Sequence, residues 1–192
     1  MTFLFDKNNH FNLANLVTFF NIIAGIMAMY FLTHNQFFGA ALFAWLGGAF
    51  DILDGKIARK YQLSTEFGVQ LDSFADFLSF VIVPAMFIYF GVIDGKELFL
   101  NTPFIAFAFI YYIISGLRRL IQFNINADAG EVENYFVGIP TPLGAILLWL
   151  VYIGWTFNIY PTLFEITPEY IVLSLMIFIG YMLNSKVKIK HL

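Results

Sequence analysis

Apolar runs long enough to cross a bilayer recur along this 192-residue chain, and few architectures accommodate them. Inside lipid every backbone N–H and C=O must find its partner within the protein, so a run of about 17 to 25 apolar residues reads as a membrane-spanning helix. Six such runs can be drawn, at Leu13–Leu32, Phe37–Ala58, Val69–Val92, Phe104–Gln122, Pro140–Phe157 and Glu169–Leu183. The expected fold is therefore all-α: a polytopic membrane protein with six transmembrane helices, forming a single domain over residues 1–192. Composition points the same way, with 60% hydrophobic and 12% charged residues, where soluble domains carry about a quarter charged. The 25 phenylalanines and 10 tyrosines suit lipid-facing surfaces and interfacial belts, and would leave large apolar patches on a water-soluble fold.

The basic residues give an orientation. Lys7 precedes the first run; Lys56, Arg59 and Lys60 surround the second connection; Arg118 and Arg119 end the fourth run; and Lys186, Lys188 and Lys190 follow the sixth. With alternating spans these share one side, and only Lys96 falls on the other, so the positive-inside rule predicts that both termini are cytoplasmic. The first run follows Asp6 and Lys7 and continues for about a full span, which predicts a retained anchor rather than a cleaved leader. The chain has no cysteine, which excludes disulfides and thiolate chemistry, and His10, His34 and His191 are too scattered to suggest a zinc site.

Four carboxylates, two glycines and an arginine gather between Asp51 and Asp76, in DILDGKIARKYQLSTEFGVQLDSFAD. Asp51 and Asp54 are three apart and share a helical face; Asp72 and Asp76, four apart, do the same on the next helix. An antiparallel hairpin would let the pairs converge. Each charge at membrane depth costs roughly 2.5 to 3.5 kcal/mol on insertion scales, so the cluster implies compensation, most simply by two divalent cations. Oxygen-only ligands suit Mg2+ or Mn2+, and two such ions can clamp a pyrophosphate. Arg59 adds a planar donor for phosphate oxygens, and Thr65 offers a hydroxyl. Gly55, Gly68 and the small Ala58 permit close approach, either of a ligand or of a facing helix. Asn15, Thr18 and Asn21 form a polar stripe on the first run, suited either to a base, ribose or phosphate or to interhelical hydrogen bonds. Taken singly, any of the acids reads as an interfacial residue; the combination with Arg59 reads as a reaction centre. The polar connection from Phe123 to Val137, with Asp128, Glu131 and Glu133, reads as a solvated loop.

DILDGKIAR, eight residues, then GVQLDSFAD resembles the complete motif of the CDP-alcohol phosphotransferases. LDSFADFLSFVIVPA, GLRRLIQFNI, FVGIPTPLGA and the terminal NSKVKIKHL are similar to segments of the bacterial and archaeal phosphatidylserine synthases within that family, so the likeness runs from about Asn15 to Lys190. The resemblance implies that Asp51, Asp54 and Asp72 hold one metal, and that Asp51, Asp72 and Asp76 hold the second, with Asp76 as proton acceptor. It also implies that Gly55, Arg59, Thr65 and the Asn15–Thr18 segment contact CDP-diacylglycerol, and that the protein is a homodimer. The chain departs from the subgroup in having Ala14 where proline often stands, Gln122 where a basic residue often stands, and Lys190-His191 in place of a proline-containing ending.

The expected reaction is attack of the serine hydroxyl on the β-phosphorus of CDP-diacylglycerol, releasing CMP. Arg119 or Arg118 would grip the serine carboxylate, with Asn124 assisting; the alternative is that both arginines are positive-inside anchors. Gly138, Pro140 and Pro142 would shape the start of the fifth span. Lys186 and Lys188 would meet lipid phosphate or simply be drawn to anionic headgroups. Two alternatives stay open: the same chemistry with glycerol 3-phosphate, inositol phosphate or another acceptor, and a divalent-cation transporter, which leaves Arg59 among the ligands poorly explained.

Overall fold

The fold, given by a computed structural model, is described for residues 3–7, 9–95, 102–128, 135–160, 167–185 and 188–190. It is built from helices: α1 (Leu13–Thr33), α2 (Phe37–Tyr61), α3 (Glu66–Asp76), α4 (Val83–Ile88), α5 (Thr102–Asp128), α6 (Thr141–Thr156) and α7 (Pro168–Asn184). α3 and α4 belong to one helical run, Glu66–Ile93, whose turns at Phe77–Ile82 and Tyr89–Ile93 are π-helical. Six apolar helical runs thus stand among the described residues, where six spans are expected from the sequence. Four are long and apolar enough to cross a membrane: Leu13–Thr33, Phe37–Tyr61, Glu66–Ile93 and Thr102–Ile125. The other two, α6 and α7, have 16 and 17 residues, short of the ~20 that a straight crossing needs.

The boundaries differ from expectation in physically readable ways. Pro140 is the N-cap of α6 rather than its first residue, and Pro142 sits in the first turn, where a missing N–H costs nothing. α5 continues six residues past Gln122, so Phe123 and Asn124 are helical and the expected loop starts later; Glu131 and Glu133 lie outside the described residues. An all-α fold also leaves out one small feature: β1 (Tyr135–Val137) pairs antiparallel with β2 (Lys188–Lys190), Phe136 opposite Ile189. The C-terminal tail is therefore tied back by backbone bonds, and Lys188 is part of that pairing. Lys186 lies outside the described residues.

The chain divides into two compact units, residues 1–79 and 80–192. In the first, α1 packs along α2 and also meets α3. Apart from Leu32, the buried residues of α1 are small or polar (Asn15, Thr18, Asn21, Gly25 and Ala28 among them), whereas Phe20, Ile23, Ile26 and Tyr30 are left half exposed. That inversion of a soluble core is what lipid demands, because helices in a bilayer associate through close packing and hydrogen bonds rather than through expulsion of water. α5 in the second unit repeats it: Ala108, Tyr112, Ser115 and Arg119 are buried, and Ile110, Ile114 and Ile121 are exposed.

Pro84 explains the π-helical turn that precedes it. Proline has no N–H for the carbonyl four residues earlier and its ring crowds that carbonyl, so the turn widens. The deserted carbonyl is that of Phe80, and it accepts a hydrogen bond from the buried Tyr112 hydroxyl at 3.4 Å. In the next irregular turn the Gly91 carbonyl accepts from Trp155 Nε1 at 3.1 Å.

Gly138 is pressed against backbone rather than side chains. Its φ is +81°, and a Cβ there would stand 2.8 Å from the Ser185 carbonyl oxygen and 2.9 Å from that of Leu183. Both the left-handed backbone and the contact with backbone atoms require glycine. Gly138→Ala is expected to cost about 2 kcal/mol or more, read as a lowered melting temperature in detergent; an unchanged temperature would show that the connection into α6 can rearrange.

Candidate active site

The carboxylates are placed by a short hairpin. α2 ends at Tyr61, and Gln62 caps it in the left-handed conformation (φ 54°), returning its N–H to the Ala58 carbonyl. Thr65 then starts α3, its Oγ1 accepting from the Gly68 N–H at 3.0 Å. This is a side-chain N-cap, worth about 1 kcal/mol, so the hydroxyl proposed from sequence as a ligand contact already has a structural duty. The reversal within four residues sets Asp51 and Asp54 on α2 against Asp72 and Asp76 on α3.

One carboxylate oxygen from each of Asp51, Asp72 and Asp76 lies within 4.8 Å of the others. The Asp51 and Asp76 carboxyl groups adjoin. Asp54 is the most enclosed, 4% exposed, with the Thr18 hydroxyl close to it. Two oxygens, Asp54 Oδ2 and Asp76 Oδ1, are buried without a hydrogen-bond partner. Buried acceptors left unpaired cost about 1 to 3 kcal/mol each, more when charged, and like charges at this spacing repel. A hard divalent cation removes both penalties at once, and a set of carboxylate oxygens is the donor set such an ion takes. The residues fit a divalent metal.

Beside the acids lies a cavity of about 190 Å3. Every residue expected from the sequence to meet the donor lines it: Asn15, Thr18, Gly55, Ala58, Arg59, Thr65 and Gly68, together with Asp54 and Asp72. Leu63 and Ser64 also line it; neither is a motif position, and the only signal for Ser64 is a hydroxyl in the hairpin connection. Arg59 folds back along its own helix, its Nη2 reaching to 4.0 Å of where a Cβ on Gly55 would stand. Gly68 is pressed against α1: a Cβ there would be 2.8 Å from Asn15 Oδ1. Asn15 Nδ2 donates to the His10 carbonyl at 3.0 Å, and its N–H is capped by Asn12 Oδ1. The amide is held, with Oδ1 turned toward Gly68.

The residues expected to hold the acceptor belong to the second unit. Arg119 is 7% exposed, and its Nε donates to the Ile139 carbonyl at 3.0 Å. Arg118 Nη1 donates to Asn184 Oδ1 at 2.8 Å, and Asn184 Nδ2 donates onward to Ser115 Oγ at 2.7 Å. Asn124 is half-buried on α5. Asn184 and Ser115 escaped sequence reasoning because nothing local relates positions 66 and 69 residues apart.

A profile of the CDP-alcohol phosphatidyltransferase family matches residues 11–183. The chain belongs to that family: it is a multi-pass membrane transferase of phospholipid biosynthesis, a class whose members work with a divalent metal. It is similar to the CDP-diacylglycerol–serine O-phosphatidyltransferase of Bacillus subtilis (strain 168), 30% identical over 177 residues that cover 92% of this chain and 88% of the relative. The enzyme of the same name from Helicobacter pylori (strain ATCC 700392 / 26695) is 31% identical over 91% of this chain and 70% of its own length. That of Methanocaldococcus jannaschii is 29% identical over 96% of this chain and 77% of its own.

The cluster generates a direct expectation. Mn2+ titrated into detergent-solubilised protein and followed by electron paramagnetic resonance should bind, and Asp72→Asn should weaken that binding about tenfold or more. Equal affinity in the variant would remove Asp72 from the ligand set.

Proposed function

We propose that this protein is a phosphatidylserine synthase, transferring the phosphatidyl group of CDP-diacylglycerol to the hydroxyl of L-serine and releasing CMP. The observation that carries the proposal is the meeting of the Asp51, Asp72 and Asp76 oxygens beside a cavity lined by the remaining motif residues. The relatives' names and Arg119, a buried cation in the second unit, support serine as the acceptor.

Two divalent ions, Mg2+ or Mn2+, would be held by Asp51, Asp54 and Asp72 and by Asp51, Asp72 and Asp76; bound, they supply charge neutralisation on the phosphates and acidify the attacking hydroxyl. The protein's own groups do the rest. Arg59 meets phosphate oxygens at the mouth of the cavity, with Gly55, Ala58 and Gly68 keeping its walls low. Asn15 and Thr18 present amide and hydroxyl from α1. The serine oxygen forms its bond to the β-phosphorus as the bond to CMP breaks, and Asp76 takes the hydroxyl proton. Aspartate is a weak base at neutral pH, so proton transfer comes late, as bonding to phosphorus develops. Positioning and charge stabilisation carry most of such a transfer.

Arg119 serves the serine carboxylate with its terminal amino groups, its Nε being held by Ile139; Asn124 assists. Arg118 is drawn to Asn184, which favours an acceptor with one carboxylate over glycerol 3-phosphate or inositol phosphate, whose phosphate would call on both arginines. Family membership sets aside the cation transporter. The remaining features of the proposal are six spans with both termini in the cytosol, an active site facing the cytosol in the cell (cytoplasmic) membrane, one functional domain over the whole chain, and a homodimer.

With CDP-diacylglycerol and Mn2+, purified protein is expected to release CMP when given serine and much less with glycerol 3-phosphate, and Arg119→Ala should raise the serine KM about tenfold or more. An unchanged serine KM would refute the acceptor site. Asp76→Asn is expected to lower kcat by roughly a hundredfold or more while nucleotide-lipid binding persists; near-normal turnover would end its role as proton acceptor.

A further inference from the structure

Beneath the carboxylates, one helical turn further along each of the three helices, lies a second polar layer that the chemistry above does not use. Asn21 is one turn beyond Thr18 on α1, Gly47 one turn before Asp51 on α2, and Ser79 one turn beyond Asp76. Ser79 Oγ donates to Asn21 Oδ1 at 2.6 Å. The absence of a side chain at Gly47 makes room for the pair: a Cβ there would stand 3.0 Å from Asn21 Oδ1 and 3.3 Å from Ser79 Oγ. Asn21 is fully enclosed, 0% exposed. With Oδ1 taken by Ser79, the other end of the amide, Nδ2, is a buried donor without a partner. In the layer above, Asp76 Oδ1 is a buried acceptor without a partner.

Two orphaned groups of opposite hydrogen-bonding sense, in successive layers of one three-helix packing, form a complementary pair. We propose that Asn21 is the positioning residue for Asp76: held by Ser79, its amide donates through Nδ2 to Asp76 Oδ1 when the carboxylates close on a cation. The inference rests on the role of Asp76 proposed above. An N–H donated to one lone pair of a carboxylate fixes the rotation of that group and leaves its other lone pairs for the cation and the proton, which is how partners behind a metal ligand commonly act. Ser79 itself lies in the widened turn at Phe77–Ile82.

The test is Asn21→Leu, which keeps the branched shape of the side chain, with methyl groups somewhat larger than the amide atoms, and removes the amide; Ser79 can then turn its hydroxyl to a carbonyl of its own helix. A purely structural role predicts little change. A positioning role predicts a kcat lowered about 10- to 100-fold and Mn2+ affinity, read by electron paramagnetic resonance, lowered about tenfold, with the donor KM within threefold and the melting temperature within a few degrees. Ser79→Ala, which frees the amide from its anchor, should shift the same two quantities less, and it decides the matter should the leucine variant not fold. Wild-type values of kcat and Mn2+ affinity in the variants, or losses that merely track a fall in melting temperature, would overturn the role of Asn21 while leaving the phosphatidyl transfer standing. A wild type that neither bound Mn2+ nor released CMP would overturn both.

Discussion

Mutual repulsion among Asp51, Asp54, Asp72 and Asp76 is the force against which the first unit is built. Three of these groups bring oxygens within 4.8 Å, in helices whose outward faces are phenylalanine, isoleucine and leucine. Such an arrangement holds only because α1, α2 and α3 approach closely enough to fix the side chains, and the approach depends on small residues where the helices touch. Gly25 receives Leu78, Gly47 receives Asn21, and Gly68 receives the Asn15 amide. The same scarcity of side-chain volume that lets the helices meet also leaves the cavity beside the acids, so packing and cavity come from one pattern of small residues.

The polar stripe of α1 divides by depth. Asn15 and Thr18 border the cavity, while Asn21, three residues deeper, is bound to Ser79. Thr65 is a similar case, a cavity residue whose oxygen is also the cap of α3. Bordering the cavity and making a structural bond are not alternatives at these positions: Asn15 and Thr65 do both.

Local spacing carries most of what is legible in the sequence. The i, i+3 and i, i+4 placement of the aspartates needed only a hairpin to converge them, and the Thr65 and Gln62 caps supplied it. The cavity residues Gly55, Ala58, Arg59 and Gly68 belong to the same motif. Long-range bonds were out of reach: Arg118 to Asn184 and Ser79 to Asn21 join residues 66 and 58 positions apart, and nothing in either neighbourhood names the other. The strand pairing of 135–137 with 188–190 was hidden because three residues are too few to show alternation. The late end of α5 was hidden because asparagine and isoleucine alternate there without a breaker. The fifth run was overdrawn by one residue at each edge, where Pro140 caps rather than begins α6, and the sixth was underdrawn by one at each edge, since Pro168 begins α7 and Asn184 ends it.

Pro84 has a consequence for how this protein can vary. The turn from Phe77 to Ile82 is wound more loosely than its neighbours, with its spare carbonyl accepting from the Tyr112 hydroxyl. A helical residue advances the chain by about 100°, so gaining or losing one position in that turn would swing every later side chain of the run onto a different face. Substitutions there are a matter of fit, but the number of residues between Asp76 and Pro84 is a matter of phase, and it is the count rather than the letters that heredity has to preserve.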